Sequence, residues 1–165
     1  MAFVVEDGTA KSDANSYISL SYAETYHDDR GNTAWASATS ATQQAACIKA
    51  TDYIEANFTF VTGGVVSYEQ SLQWPRWGAE DRNGNAFSTN EVPGVVKQAT
   101  AILALEVVDG TDILAKIDRK TKREKAGSVE VEYADSSAAR SIYWQVYGML
   151  QNLVIPIGQG RIARG

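Results

Sequence analysis

The sequence predicts a mainly α-helical fold: a small bundle of about four helices with a short β-hairpin and extended N- and C-terminal arms. Apolar residues recur at helical spacing in four stretches, and they alternate with acidic residues in one short stretch. The last nine residues are rich in glycine and arginine, and such a segment cannot build a core alone. We therefore assign residues 1–153 to one domain and residues 154–165 to a flexible C-terminal arm.

The N-terminal region is predicted to hold a short strand and the first helix. The apolar run at residues 3–5 stands before a turn signal and favours an edge strand. Residues 22–29 have helical spacing, and either Ser21 or Ser19 is placed to cap them. Residues 32–39 then form a connector without a periodic pattern.

Two long helices are predicted to form the core. The first runs from Ala41 to Phe58, with Ser40 as its N-cap. The second begins at Pro93, runs to Val108 and is the most hydrophobic long segment, so we expect it at the centre. The buried side of the first helix is predicted to comprise Ala46, Ala50, Tyr53, Ile54 and Phe58.

The C-terminal third combines a charged hairpin with a last helix. A basic run at residues 119–125 precedes a glycine turn and residues 129–133, where apolar and acidic side chains alternate. Opposite charges can pair across such a hairpin, although two glutamates cannot neutralise five cations. The last helix is predicted at residues 138–153 with Ser137 as its cap, after a possible extra helical turn at residues 113–117.

The charge is distributed unevenly along the chain. Its net value is −5, but residues 1–118 hold 16 acidic and 7 basic side chains, whereas residues 119–165 hold 4 acidic and 8 basic ones. This balance excludes a generic nucleic-acid binder and leaves local attraction to an acidic partner near the C-terminal end.

No catalytic, cofactor or metal site is predicted. His27 is the only histidine, and with no second ligand nearby it is interpreted as a surface residue. Cys47 is the only cysteine and lies in an alanine-rich run, where a buried, unreactive thiol is expected. No serine or cysteine nucleophile has the pattern of a catalytic set, so we predict that the chain is not an enzyme. Neither a signal peptide nor a membrane span is predicted.

The segment at residues 71–78 is the strongest single feature. It combines two of the four tryptophans with a proline and an arginine. We interpret Trp74 as an anchor in the core, since aromatic rings dominate burial energetics. Arg76 and Trp77 are candidates for facing a partner chain, because Trp and Arg concentrate binding energy at interfaces.

The order of several motifs resembles the head-to-tail adaptor (connector) proteins of tailed bacteriophages. The likeness covers most of residues 3–153. Members of this group are also labelled DnaT-like single-stranded-DNA-binding proteins. The motifs are Val5-Glu6-Asp7-Gly8-Thr9, Asn15-Ser16-Tyr17, Asp29-Arg30-Gly31, Leu72-Gln73-Trp74-Pro75-Arg76, Val92-Pro93-Gly94-Val95-Val96-Lys97-Gln98-Ala99 and Glu124-Lys125-Ala126-Gly127-Ser128-Val129-Glu130-Val131-Glu132-Tyr133.

The resemblance implies that the protein forms a dodecameric ring in the virion neck and that this ring extends the DNA channel. It also implies that the protein is made in the host cytoplasm. Its partners are the portal protein, a tail or neck protein, and double-stranded DNA that passes without specific binding. The alternatives are a single-stranded-DNA-binding protein of phage replication and a helical interaction module of unknown role. The partner-binding candidates are Trp74, Arg76, Trp77, Arg119, Lys120, Lys122, Arg123, Lys125 and, in a terminal arm that could order itself against the portal, Arg161, Ile162 and Arg164.

Overall fold

The computed structural model describes residues 2–81, 83–115 and 143–154, and the backbone of residues 123–126 and 129–132. Within this part of the chain it confirms a mainly helical fold with a short hairpin, and no described helix is long and apolar enough to cross a membrane. The helices are α1 (Leu20–Asp28), α2 (Thr33–Ser37), α3 (Ser40–Asn57), α4 (Gly94–Val108) and α5 (Trp144–Leu150). The strands are β1 (Gly64–Val65), β2 (Arg76–Trp77), β3 (Arg123–Ala126) and β4 (Val129–Glu132).

Two hydroxyl groups decide where the first long helices begin. The side chain of Ser19 accepts a hydrogen bond from the Tyr22 amide, so α1 begins two residues earlier than the predicted Tyr22. Thr39 caps α3 through the Thr42 amide, and the predicted Ser40 cap is therefore wrong by one residue. The predicted connector at 32–39 contains the short helix α2.

The core lies between α3 and α4, which pack against each other along their lengths. All five residues predicted for the buried side of α3 are buried, which confirms its periodic pattern. On α4 the buried face includes Ala99, Ala101 and Ala104, small residues that allow a close approach of α3. Pro93 is the N-cap of α4 and not its first residue, and Val95 in the first turn of α4 is exposed.

The N-terminal residues form a tight loop where an edge strand was predicted. Val5 forms a parallel bridge with Ser16, and the Glu6 amide donates a hydrogen bond to the Ser16 carbonyl at 2.9 Å. The buried carboxylate of Glu6 accepts hydrogen bonds from the amides of Gly8, Ala10 and Lys11. These bonds turn the chain back around Glu6, so an extended strand cannot continue there.

The predicted charged hairpin is confirmed in its backbone pairing. Strands β3 and β4 are antiparallel, with Arg123 opposite Glu132 and Lys125 opposite Glu130. The last helix is described only as α5, which ends three residues before the predicted Leu153. Ile113 and Leu114 lie in a turn and not in a helix. The predicted start of the last helix at 138, its cap Ser137, Ile117 and the arm from 155 onward lie outside the described residues.

Candidate partner-binding surface

Trp74 anchors the loop between α3 and α4 in the core, as predicted. Its side chain is fully buried and lies edge-on between two phenylalanine rings. The ring centroids are 5.6 Å from Phe60 and 5.7 Å from Phe87. The Trp74-Pro75 peptide bond is cis. Aromatic contacts of this kind fix the position of the ring beyond what burial alone provides.

A network of hydrogen bonds holds Gln73, the residue before Trp74. The Glu55 carboxylate accepts hydrogen bonds from the Tyr17 hydroxyl and, at 3.2 Å, from the Gln73 amide. The Gln73 side chain donates to the carbonyl of Phe58 at 2.8 Å and accepts from the amide of Phe60 at 3.0 Å. Burial raises the pKa of both Tyr17 and Glu55. The segment is thus tied to α3 and to the N-terminal region.

Arg76, which the sequence made a candidate for facing a partner chain, lies inside the described fold and not on its surface. Its guanidinium donates hydrogen bonds to the carbonyls of Thr62 (2.7 Å), Gly63 (3.0 Å) and Gln73 (3.2 Å). Only 8% of the residue is exposed, and burial lowers the pKa of the guanidinium. Arg76 therefore fastens strand β2 to the residues before β1 instead of offering its charge to another molecule.

Two glycines allow β1 and β2 to approach closely enough to present Trp77. Gly63 has φ +63°, and a Cβ atom there would stand 2.0 Å from the Trp77 carbonyl oxygen. At Gly64 a Cβ atom would stand 2.8 Å from the Trp77 indole nitrogen. The indole thus lies against the Gly64 backbone on one side, while 61% of Trp77 remains exposed.

Five large apolar side chains are exposed on this hairpin and its flanks. We call them the hairpin patch, and it comprises Val61, Val65, Val66, Tyr68 and Trp77, whose exposed fractions range from 40% to 90%. Single exposed apolar residues are common on proteins, but several on one short segment are typical of an interaction site. Of these five residues only Trp77 was predicted from the sequence, since Tyr68 and the valines carry no local signal beyond their hydrophobicity.

Acidic residues outnumber basic ones in the described part of the chain. Among residues with described side chains there are 15 acidic and 5 basic ones. Of these five cations, Arg76 is internal and Lys11 pairs with Asp7 at 2.8 Å. The hydrogen bond from Lys11 lowers the pKa of Asp7 to about 2. Among these described residues, Arg30, Lys49 and Lys97 complete the set of cations, which is too sparse to track a phosphate backbone.

The remaining sequence candidates lie mostly outside the described residues. Arg123 and Lys125 are placed on β3, but only their backbone is described. No group of three metal-binding side chains converges in the described part of the chain. The candidates without a described position are Arg119, Lys120, Lys122, Arg161, Ile162 and Arg164.

A second surface feature lies where α1, α4 and the start of α5 meet. We call it the Arg30 crevice; its volume is about 260 Å³, and its lining includes Tyr26, Arg30, Ile102, Glu106 and Gln145. The Arg30 guanidinium carbon stands 3.6 Å from the centre of the Tyr26 ring. This crevice was not predicted from the sequence, although Tyr26 and Arg30 have the i, i+4 spacing of helix neighbours.

His27 forms part of this crevice and is buried, so the prediction of a surface histidine is wrong. Its ring centroid is 4.6 Å from that of Trp35, and its Nδ1 atom lies 3.0 Å from the Asn32 side-chain amide nitrogen. Burial lowers the pKa of His27. The flanking aspartates point to solvent and misled the sequence interpretation, because the histidine occupies the opposite, inward side of α1.

The described residues define a small, mainly helical fold with exposed apolar side chains on the β1–β2 hairpin and an excess of acidic residues. A family model described as "Putative DnaT-like ssDNA binding protein" matches residues 1–165, and the chain belongs to that family. Neither the search of curated proteins nor the search of solved structures gave a match.

Proposed function

We propose that this protein is a non-enzymatic structural adaptor. In this proposal it forms a ring between the portal and the tail of a bacteriophage virion and extends the DNA channel. The hairpin patch is the observation that carries the proposal, because it places five exposed apolar side chains, among them Trp77, on a firmly held segment of an otherwise acidic protein. Such a surface suits protein subunits better than nucleic acid.

Rigidity of the hairpin patch supports a role in stable assembly. Three hydrogen bonds from Arg76 and the close approach at Gly63 fix the hairpin before any partner arrives. A preformed surface loses little conformational entropy on binding, so more of the contact energy becomes affinity. Trp77 and Tyr68 belong to the residue types that dominate binding energy in protein interfaces.

The acidic body supports a channel through which DNA slides. Lys and Arg contacts to phosphate supply most non-specific DNA affinity, and they would retard the passage of DNA. The described side chains carry a threefold excess of acids over bases. In the proposed ring this surface repels the phosphate backbone, so double-stranded DNA passes without specific binding.

Single-stranded-DNA binding is the second candidate, and the description of the family favours it. Binding of this kind combines cations along the backbone with aromatic faces on which bases stack. Tyr68, Trp77 and Trp144 are exposed aromatic residues, and the basic run 119–125 would have to provide the cations. If the protein has this function, its affinity for single-stranded DNA falls steeply as the salt concentration rises, because binding releases counterions from the DNA backbone.

One experiment separates the two candidates. The purified protein is mixed with portal protein in one series and with an oligothymidine in another, each at low and physiological salt. The adaptor proposal predicts assembly with portal that Trp77→Ala weakens at least tenfold. Leu114→Ala serves as the matched control, since Leu114 is an exposed apolar residue outside the hairpin patch. Tight oligothymidine binding that Trp77→Ala abolishes, with portal ignored, would overturn the adaptor proposal.

A further inference from the structure

The Arg30 crevice is large enough to hold one large side chain of another molecule. Its volume of about 260 Å³ lies below the range of roughly 300–1,000 Å³ that is usual for small-molecule pockets. Its wall includes the half-buried apolar residues Ile102 and Leu105, and its rim offers the side-chain oxygens of Glu106 and Gln145. An amphipathic aromatic side chain with one N–H group fits this combination of apolar wall and polar rim.

Arg30 provides a specific contact for such a ring. One face of its guanidinium covers the Tyr26 ring at 3.6 Å, and its NH1 atom donates a hydrogen bond to the Tyr26 carbonyl at 2.9 Å. These contacts hold the group in place while the residue remains exposed. A guanidinium held in this way can accept a second aromatic ring on its free face, and tryptophan is the best partner for a cation.

The hairpin patch and the Arg30 crevice lie towards opposite ends of the α4–α5 pair. The Val61 amide donates a hydrogen bond to the Leu153 carbonyl at 3.0 Å, which places the patch next to the residues that follow α5. The crevice is lined by Gln145 at the start of α5. Contact between two different surfaces of identical chains is head-to-tail, and it produces a ring when the rotation closes.

We infer that the hairpin patch of one copy docks into the Arg30 crevice of a second copy, with the Trp77 indole stacked on the Arg30 guanidinium. The inference rests on the proposed adaptor function and deepens it, since it assigns the contact that links neighbouring subunits. The occupant of the crevice is a second copy of this chain, because its hairpin presents an exposed, preformed indole and the crevice presents a preformed cation.

Mixing two variants tests this contact directly. Trp77→Ala removes the indole but leaves the crevice, and Arg30→Ala removes the cation but leaves the patch. Each variant alone is expected to associate at least tenfold more weakly than the wild type, whereas their mixture forms a one-to-one dimer that does not extend. Native mass measurement detects the dimer, and circular dichroism confirms that each variant is folded. Lys49→Ala removes an exposed cation elsewhere and is expected to assemble like the wild type.

The outcomes separate this inference from the proposed function. If the wild type assembles and either variant assembles equally well, or if the folded variants form no dimer when mixed, the head-to-tail contact is wrong while the adaptor function stands. If the wild type stays a single copy at every concentration and also fails to bind portal, both proposals fall.

Discussion

Arg76 is predicted to hold the hairpin patch in place, and Arg76→Met tests this role. The variant keeps a long apolar side chain but loses the guanidinium that bonds to the carbonyls of Thr62, Gly63 and Gln73. A hydrogen bond to a charged group contributes about 1.5–3 kcal/mol. The Gln73 bond is long, and the Thr62 and Gly63 carbonyls lie near enough to solvent for water to replace part of the loss. We therefore expect a decrease of about 2–4 kcal/mol in the free energy of unfolding.

The assay is urea unfolding followed by far-ultraviolet circular dichroism. Both proteins carry Trp77→Ala, so that assembly does not contribute to the measured stability. Lys49→Met is the matched control, because it removes one exposed positive charge and should change stability by less than about 0.5 kcal/mol. An Arg76→Met variant as stable as this control would refute the claim that Arg76 fastens the hairpin.

Three further predictions concern a glycine, the cysteine and the histidine. Gly63→Ala should lower the free energy of unfolding by about 3 kcal/mol or more, because φ is positive there and the added carbon meets the Trp77 carbonyl. The control Gly31→Ala has only the positive φ and should lower it by about 1–2 kcal/mol. Urea unfolding measures both changes. Cys47 is buried and its pKa is raised to about 12, so a thiol reagent should label it only as fast as the protein opens; rapid labelling of the native protein would contradict the structure. Burial lowers the pKa of His27, so the histidine binds a proton more readily in the unfolded chain than in the folded protein. The free energy of unfolding should therefore fall as pH drops from about 7.5 to 5.5. His27→Gln should flatten that pH dependence, and an unchanged slope would contradict the assignment of the pH dependence to His27.

The sequence predicted the elements that local patterns determine. The helical spacing in α3 identified its buried face, and the alternation after the basic run identified the β3–β4 hairpin. Trp74 was recognised as a core residue, because aromatic rings dominate the energetics of burial. The helix and hairpin predictions succeeded because each depends on residues that are close together in the sequence.

The predictions that failed depend on contacts between distant segments. Whether Arg76 faces out or in is decided by carbonyl groups of residues 62 and 63, which the hairpin brings to it. The burial of His27 requires Trp35 to fold back over α1. The Arg30 crevice requires α1, α4 and α5 to meet, and no local pattern records that meeting.

The central claim is that this chain joins protein subunits through an apolar patch and does not hold nucleic acid. Native mass measurement of the wild-type protein with equimolar oligothymidine at physiological salt tests it most directly. We expect species at multiples of 17.9 kDa without added oligonucleotide mass. A single copy that carries the oligonucleotide would contradict it.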